Sequence, residues 1–252
     1  MVRFARLTKR GIVVEWRKTV TSTNTVMQQE LAKTQSTSPS VLVAERQTAG
    51  HGKLQRSFFS PAGSGIYVTI GLPLSFLAPG WQPQRLTICA AVAAFQAVRP
   101  LVDDQLTIKW VNDLYRGNKK AAGMLAETAL DRDNKLRGVV VGWGININQS
   151  ADWPPALQEV AGTIVDHPLT ATERDDLVDV LVDRFLNLLR VPWSAVLMVY
   201  RDHQYLAGKS LTVQSGNSLV AGCFERIEDD GRLSIQTAGG CRSFASGTVR
   251  LQ

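Results

Sequence analysis

Amide, carboxylate and ammonium side chains converge in one short stretch near the middle of the chain. Asn112 and Asp113 follow a strand-like run, and Lys119 and Lys120 follow a turn a few residues later. A hairpin would bring these groups together, where they could hold an anion beside a polar ligand. Gly123 interrupts the second run, and such a glycine often marks close approach of a backbone or a ligand. For any single residue, a solvated surface position is the simpler interpretation.

Two further polar segments could contribute to such a site. Residues 21–24 read Thr-Ser-Thr-Asn before a helical pattern, which is typical of helix caps, although these side chains could also bind a ligand's polar head. Residues 46–61 carry two glycines and several cations without apolar periodicity, which is typical of a loop. Backbone N–H groups freed at Gly50 and Gly52, with Lys53 nearby, could wrap a phosphate. The Walker pattern is absent, so this is not a P-loop.

Alternating strand and helix patterns surround these segments. Strands are predicted at residues 12–18, 41–45, 65–72, 107–110, 121–130 and 136–148, and helices at 86–98, 172–189 and 193–205. The composition of residues 121–130 favours a helix, but the expected pairing of this run with residues 136–148 favours a strand. Thr172-Glu173-Arg174-Asp175 resembles a capping box. Glycines at 142 and 144 should leave the central strand bare where a flat ligand could lie.

The pattern of apolar and polar residues changes from Lys209 onward. Five short alternating runs are separated by Ser-Gly-Asn, Asp-Asp-Gly and Gly-Gly turns. That spacing predicts a small all-β barrel. We therefore expect a domain boundary near residues 206–209, dividing the chain into 1–206 and 207–252.

Composition excludes several classes of protein. The 252 residues are 44% apolar and contain no apolar run of about 18 residues, so no membrane contact is expected. The basic, broken N-terminus lacks a signal-peptide core. Three cysteines without metal-ligand spacing fit a reducing cytoplasm, and three scattered histidines suggest neither a zinc site nor a catalytic triad. The net charge of +6 suits a phosphate-bearing ligand or an acidic partner as well as nucleic acid.

Taken in order, the motifs resemble those of biotin protein ligases. They are Ser22-Thr23-Asn24, residues 47–53, residues 109–114 with Lys120 and Gly123, and residues 142–148. The resemblance covers nearly the whole chain and implies an α+β fold. A mixed β-sheet flanked by helices, related to class II aminoacyl-tRNA synthetases, would form the catalytic domain 1–206. Residues 207–252 would form the family's SH3-like β-barrel.

The resemblance also implies a reaction. The carboxylate of biotin attacks the α-phosphate of ATP bound with Mg2+, giving biotinoyl-AMP and pyrophosphate. A lysine of a biotin carboxyl carrier protein, from acetyl-CoA carboxylase or a similar enzyme, then attacks the mixed anhydride. The main physical requirement is fixed cations aimed at two anions that must be pushed together.

Roles for individual residues follow from the matched motifs. The catalytic residues would be Lys120, Asp113 and Lys53. The biotin-binding residues would be Ser22, Thr23, Asn24, Gln47, Gly50, His51, Gly52, Lys53, Lys120 and Gly123. The nucleotide-binding residues would be Lys53, Arg56, Phe58, Asn112, Lys120, Gly142, Gly144 and Asn146. No metal ligand is expected from the protein, and Lys119 is expected to be a solvated turn residue.

The glycine-rich loop departs from the pattern that it resembles. His51 and Lys53 stand where arginine is usual, Gln55 replaces a glycine, and Phe58 replaces a tryptophan. Lysine keeps a positive charge but lacks the planar bidentate fork of arginine. We therefore expect the adenylate to be held less tightly than in an all-arginine relative. Lys120 should then carry a larger share of the electrostatic work.

Three other functions compete with this interpretation. A lipoate ligase would share the fold and the adenylation chemistry, and a degenerate paralogue would bind biotin or its adenylate without catalysis. A DNA-binding repressor would need a helix-turn-helix domain, but only about 20 residues precede Ser22, so the monofunctional form without DNA binding is expected. A homodimer through the catalytic sheet stays open.

Overall fold

The computed structural model describes residues 3–33, 36–102, 105–149 and 153–252. Its elements are α1 (Ala5–Lys9), β1 (Val13–Val20), α2 (Thr23–Lys33), β2 (Ser40–Gln47), β3 (Gly65–Pro73), α3 (Pro83–Val98), β4 (Leu106–Lys109), β5 (Asp113–Arg116), β6 (Lys119–Leu130), β7 (Leu136–Asn146), α4 (Pro155–Val160), α5 (Ala171–Leu188), α6 (Trp193–Asp202), β8 (Ser210–Ser215), β9 (Ser218–Ile227), β10 (Leu233–Thr237), β11 (Gly240–Phe244) and β12 (Thr248–Leu251). Short 3-10 turns lie at Lys53–Gln55, Leu74–Phe76 and Arg99–Leu101. Within the described ranges, no helix is both long and apolar enough to cross a membrane.

A seven-stranded mixed sheet forms the larger unit, in the order β1-β2-β3-β7-β6-β5-β4. Strands β1 and β2 run parallel, and the other neighbours are antiparallel. Helices α3 and α5 pack on one face and α2 packs on the other. The side chains of β7 alternate between the faces. Trp143 points toward α3, where its indole N–H donates to the Ala90 carbonyl at 3.0 Å, so Gly142 and Gly144 face α2.

Pairing decides the conformation of β6, as predicted from the sequence. Its alanine-rich, methionine-containing sequence suits a helix, but it pairs with β5 on one side and β7 on the other. The resulting hairpin places Asp113 opposite Gly123 and Gly123 opposite Gly144. The mixed sheet flanked by helices confirms the predicted fold class.

Several element boundaries differ from prediction, and three of these differences have a clear local cause. The capping box of α5 joins Thr170 and Glu173, not residues 172–175: the Glu173 N–H donates to Thr170 Oγ1 at 3.2 Å, and the Thr170 N–H donates to Glu173 Oε2 at 2.8 Å. Helix α3 begins three residues early, at Pro83, because the fixed φ of proline suits a first helical position. Helix α6 ends at Asp202, since the next residues hydrogen-bond to Ile108 of β4.

The C-terminal strands form a separate antiparallel sheet in the order β11-β10-β9-β8-β12. We call this five-stranded sheet the C-terminal barrel. Its β9–β10 turn contacts the larger unit, where the indole N–H groups of Trp110 and Trp193 donate to the carbonyls of Gly231 and Asp229 at 3.0 and 2.6 Å. The domain boundary at residues 206–209 stays a prediction, and it falls between the two sheets.

Candidate active site

A cavity of about 410 Å3 opens on the α2 face of the large sheet. Its walls come from α2, the β2–β3 loop, the β5–β6 hairpin, β7, α4 and the C-terminal barrel. Every site residue predicted from the sequence lines it except Gly50, namely Ser22, Thr23, Asn24, Gln47, His51, Gly52, Lys53, Arg56, Phe58, Asn112, Asp113, Lys120, Gly123, Gly142, Gly144 and Asn146. The fold therefore gathers segments that are more than 120 residues apart in the chain.

A polar recess is built at the N-terminus of α2. Ser22, Thr23 and Asn24 are all buried, with 3 to 5% of their surfaces exposed. The Gln47 side-chain oxygen accepts from the backbone N–H and the hydroxyl of Thr23 at 2.8 and 3.1 Å. The Gln47 amide then donates to Ser60 Oγ at 2.9 Å. These bonds satisfy the helix start and fix the side chains that face the cavity.

Side chains of other residues cover Gly142 and Gly144 of β7. The prediction that these glycines leave the strand surface bare is therefore wrong for this conformation. Asn24 lies over Gly142 so closely that a Cβ there would collide with Asn24 Oδ1. At Gly144, a Cβ would come within 2.6 Å of the Phe58 ring. Asn24 is held by the hydroxyl of buried Thr69, which donates to its Oδ1 at 2.7 Å. The glycines therefore make room for protein side chains.

Lys120 and Asp113 form an ion pair at the centre of the hairpin. Lys120 Nζ lies 2.6 Å from Asp113 Oδ1. A Cβ on Gly123 would stand 3.1 Å from that Nζ and 3.5 Å from that Oδ1, so a side chain there would crowd both groups. Asn112 fixes the turn by donating its amide to the Met124 carbonyl at 2.8 Å. Lys119 lies in β6, not in the turn, and its exposed side chain donates to the Gln158 carbonyl at 3.0 Å.

Burial lowers the pKa of two further lysines at the cavity. It lowers the pKa of Lys53, with Arg56 adding to the effect and Asp113 opposing it. It also lowers the pKa of Lys109, against the attraction of Asp113 and together with repulsion from neighbouring lysines. Lys109 Nζ donates to the Tyr115 hydroxyl at 3.1 Å. Lys109 belongs to the hairpin motif at residues 109–114, but the sequence predicts no separate role for it.

His51 ties the glycine-rich loop to the sheet. Its Nε2 lies 3.3 Å from Glu127 Oε2, which also accepts from the Asn24 amide at 2.8 Å. Gly50 precedes His51 in the loop but does not line the cavity. A Cβ there would approach the Phe58 carbonyl, Ser60 Oγ and the Gln47 amide within 2.7 to 2.8 Å. Gly50 thus permits close packing of the loop, and its predicted contact with biotin stays a prediction.

Two parts of the cavity wall contain no site residue that was predicted from the sequence. Helix α4 contributes Leu157 and Val160, and the C-terminal barrel contributes residues 247–249. Arg56 reaches across to the barrel, where its Nη2 donates to Thr248 Oγ1 at 2.9 Å. No local motif signals these contacts, because they join residues as far as 192 positions apart.

The arrangement suits the joining of two anions. Four cationic side chains, Lys53, Arg56, Lys109 and Lys120, line the cavity together with the buried recess of hydroxyls and amides at Ser22–Asn24. Fixed charges in a partly buried site stabilise developing negative charge more strongly than charges in water do. Within the described ranges, no three histidine, cysteine, aspartate or glutamate side chains gather as metal ligands.

Comparisons with known proteins agree on one family. Residues 16–146 match the family model for the biotin/lipoate A/B protein ligase family. The chain is 27% identical over 227 residues to the bifunctional ligase/repressor BirA of Bacillus spizizenii, covering 88% of this chain and 69% of that protein. It is 29% identical over 220 residues to the biotin–[acetyl-CoA-carboxylase] ligase of Mycobacterium tuberculosis, covering 83% and 77%. The biotin protein ligase of Aquifex aeolicus, solved with biotin and ATP, has a TM-score of 0.79 at 24% identity, covering 95% and 98%, and supports the fold.

Proposed function

The chain belongs to the biotin/lipoate A/B protein ligase family, and we propose that it activates biotin with ATP and transfers the biotinoyl group to a carrier protein. The observation that carries the proposal is the Lys120–Asp113 pair, which lies beside Gly123 in the cavity that also contains the buried recess at Ser22–Asn24. We propose that a carboxylate substrate with a polar head binds between these two features.

The first step joins the biotin carboxylate to the α-phosphate of ATP, which enters as its magnesium complex. Ser22, Thr23, Asn24 and Gln47 bind the polar head, which directs the carboxylate toward Lys120. The Lys120 ammonium offsets the repulsion between carboxylate and phosphate, and it stabilises the charge that develops as pyrophosphate leaves. Lys53 and Arg56 lie on the loop over the phosphate side. Closure of this loop protects the anhydride from water.

The second step transfers the acyl group to an amine. A lysine of a carrier protein enters at the cavity mouth, and Asp113 orients its amine or accepts its proton. The relative from Mycobacterium tuberculosis is named for acetyl-CoA carboxylase, and we propose a carrier domain of that class as the acceptor. Asp113 is already engaged with Lys120, so carrier binding must share or displace that ion pair.

Pyrophosphate exchange distinguishes this proposal from a lipoate ligase and from a non-catalytic binding protein. The purified protein should exchange labelled pyrophosphate into ATP when biotin is present, and excess lipoate should not compete. Competition by lipoate at equal concentration would favour a lipoate-type ligase instead. Biotin binding without any exchange would indicate a non-catalytic binding protein.

We also propose a cytoplasmic location, because Cys223 and Cys241 are exposed free thiols that suit a reducing compartment. Homodimerisation is a further proposal. Strand β1 is an open edge of the sheet, and exposed Val13 and Trp16 lie on it. Sedimentation analysis with and without biotin and ATP tests this, and a strictly monomeric protein under both conditions would contradict it.

A further inference from the structure

The three lysines that line the cavity within the described ranges differ in their partners. Lys120 Nζ contacts Asp113 Oδ1 at 2.6 Å, and Lys109 Nζ donates to the Tyr115 hydroxyl at 3.1 Å. Lys53 forms neither an ion pair nor a hydrogen bond with any described residue. Its amine is therefore the one of the three that is not already engaged by a neighbouring side chain.

An unengaged amine in this position is a nucleophile whenever it is neutral. Partial burial lowers the pKa of Lys53, and the nearby Arg56 guanidinium lowers it further against the attraction of Asp113. At a given pH, the neutral fraction of this amine is therefore larger than that of an ordinary exposed lysine. An arginine at residue 53 would supply the same charge, but its guanidinium stays protonated and is a poor acyl acceptor.

We propose that Lys53 is itself an acyl acceptor, which the biotinoyl adenylate modifies when no carrier protein is bound. The inference rests on the proposed function, because that function supplies the activated acyl group. Lys53 lies in the 3-10 turn Lys53–Gln55 and lines the same cavity as Lys120 and the polar recess. A nucleophile and an acyl group held in one cavity react as an intramolecular pair when the loop brings the amine within attack distance of the acyl carbon.

The step balances without any further reagent. The lone pair of neutral Lys53 Nζ attacks the acyl carbon of biotinoyl-AMP and forms a C–N amide bond. The bond between that carbon and the bridging phosphate oxygen breaks, and its electrons leave with AMP. The surplus proton of the amine passes to solvent. No atom is oxidised or reduced.

The modification would reduce the activity of the enzyme. An amide at Lys53 removes a positive charge from the phosphate side, and the attached biotinoyl chain occupies space in the cavity of about 410 Å3. A bound carrier lysine consumes the adenylate first, so a sufficient supply of carrier protects the enzyme. Self-acylation would thus limit biotin activation when carrier is scarce.

Synthetic biotinoyl-AMP tests the inference independently of the adenylation step. The full-length protein is incubated with this compound without carrier, and peptide mass spectrometry measures the acylated fraction at each lysine. Lys119 is the matched comparison, because it adjoins Lys120 in the chain but is exposed and lies outside the cavity. We expect at least about tenfold more acylation at Lys53 than at Lys119, at a rate that neither protein dilution nor added free amine changes.

Uniform labelling of exposed lysines, or no labelling at Lys53, would overturn the inference. A Lys53→Arg variant provides a second test, since cavity labelling should disappear and not move to Lys109 or Lys120. A parallel incubation with biotin and ATP-Mg separates the two claims. Adenylate that forms without acylation of Lys53 overturns this inference alone. Failure to form adenylate overturns the proposed function, while the synthetic compound still decides whether Lys53 is an acceptor.

Discussion

Alanine at Gly142 should weaken biotin binding by displacing Asn24. The new Cβ would collide with Asn24 Oδ1, which accepts from Thr69 at 2.7 Å in a buried position. Biotin would then lose its expected hydrogen bond to Asn24, and leaving a buried polar group of the ligand without a partner costs about 1–3 kcal/mol. About 1.4 kcal/mol corresponds to a tenfold change in binding, so the KM for biotin should rise roughly 5- to 150-fold, with little change in the KM for ATP.

Alanine at Gly144, two residues along β7, should weaken ATP binding more than biotin binding. At Gly144 the new Cβ would stand 2.6 to 2.7 Å from the Phe58 ring, which lies where we expect the nucleotide. Repacking an overfilled contact costs about 1–3 kcal/mol, so Gly144→Ala should raise the KM for ATP more than the KM for biotin. Because both residues face the same side of β7, general damage to the sheet would affect the two variants alike.

Pyrophosphate exchange at varied biotin and varied ATP measures both constants for each variant. Gly239→Ala is the control, because its nearest neighbour would be Thr237 Oγ1 at an ordinary contact distance of 3.9 Å. The Gly239→Ala variant should have the same KM values for biotin and ATP as the native protein. The reasoning would be refuted if the two β7 variants changed both constants equally, or if the selectivity were reversed.

Three further predictions concern the loop, the barrel and a helix cap. Burial lowers the pKa of Lys53, so its charge is lost at a lower pH than that of an ordinary lysine, and biotinoyl-AMP release should accelerate on the alkaline side. Lys53→Arg should slow release and move that acceleration to higher pH; equal off-rates would count against this. Thr248→Val removes the acceptor for Arg56 and should speed adenylate release about two- to tenfold, with recovery in Thr248→Ser; unchanged release in Thr248→Val would argue against any role for this contact. Thr170→Ala breaks the capping box of α5 and should lower Tm by about 2–4 °C without changing activity at 25 °C; an unchanged Tm in a thermal melt would contradict it.

The elements predicted best are those whose neighbours constrain them. Strand β6 has a helix-like composition, yet the turns on either side of it require pairing with β5 and β7, and that pairing was predicted from the sequence. The capping box of α5 was misplaced by two residues because both Thr170 and Thr172 precede acidic side chains. Local sequence could not decide which threonine starts the helix, since that depends on where the preceding chain leaves the core.

Sequence reasoning identified the positions of the site better than their contacts. Gly123 was predicted to mark close approach of a backbone or a ligand, but the atoms that lie against it belong to the side chains of Lys120 and Asp113. Gly142 and Gly144 were expected to stay bare for a ligand, but Asn24 and Phe58 cover them. The predictions differ in accuracy because the contacting residues lie at different distances along the chain. Partners on one hairpin follow from strand register, whereas packing across the sheet depends on side chains more than 80 residues away.

Transfer of labelled biotin to a carrier domain tests the central claim most directly. The native protein, with ATP-Mg and an acetyl-CoA carboxylase carrier domain, should attach label to one carrier lysine. Lys120→Ala should lower the rate by about 10²- to 10³-fold, as expected for loss of a preorganised charge at the reacting centre. Lys119→Ala should transfer as well as the native protein does, because this neighbouring lysine is exposed and lies outside the cavity. No transfer by the native protein, or full activity in Lys120→Ala, would contradict the account.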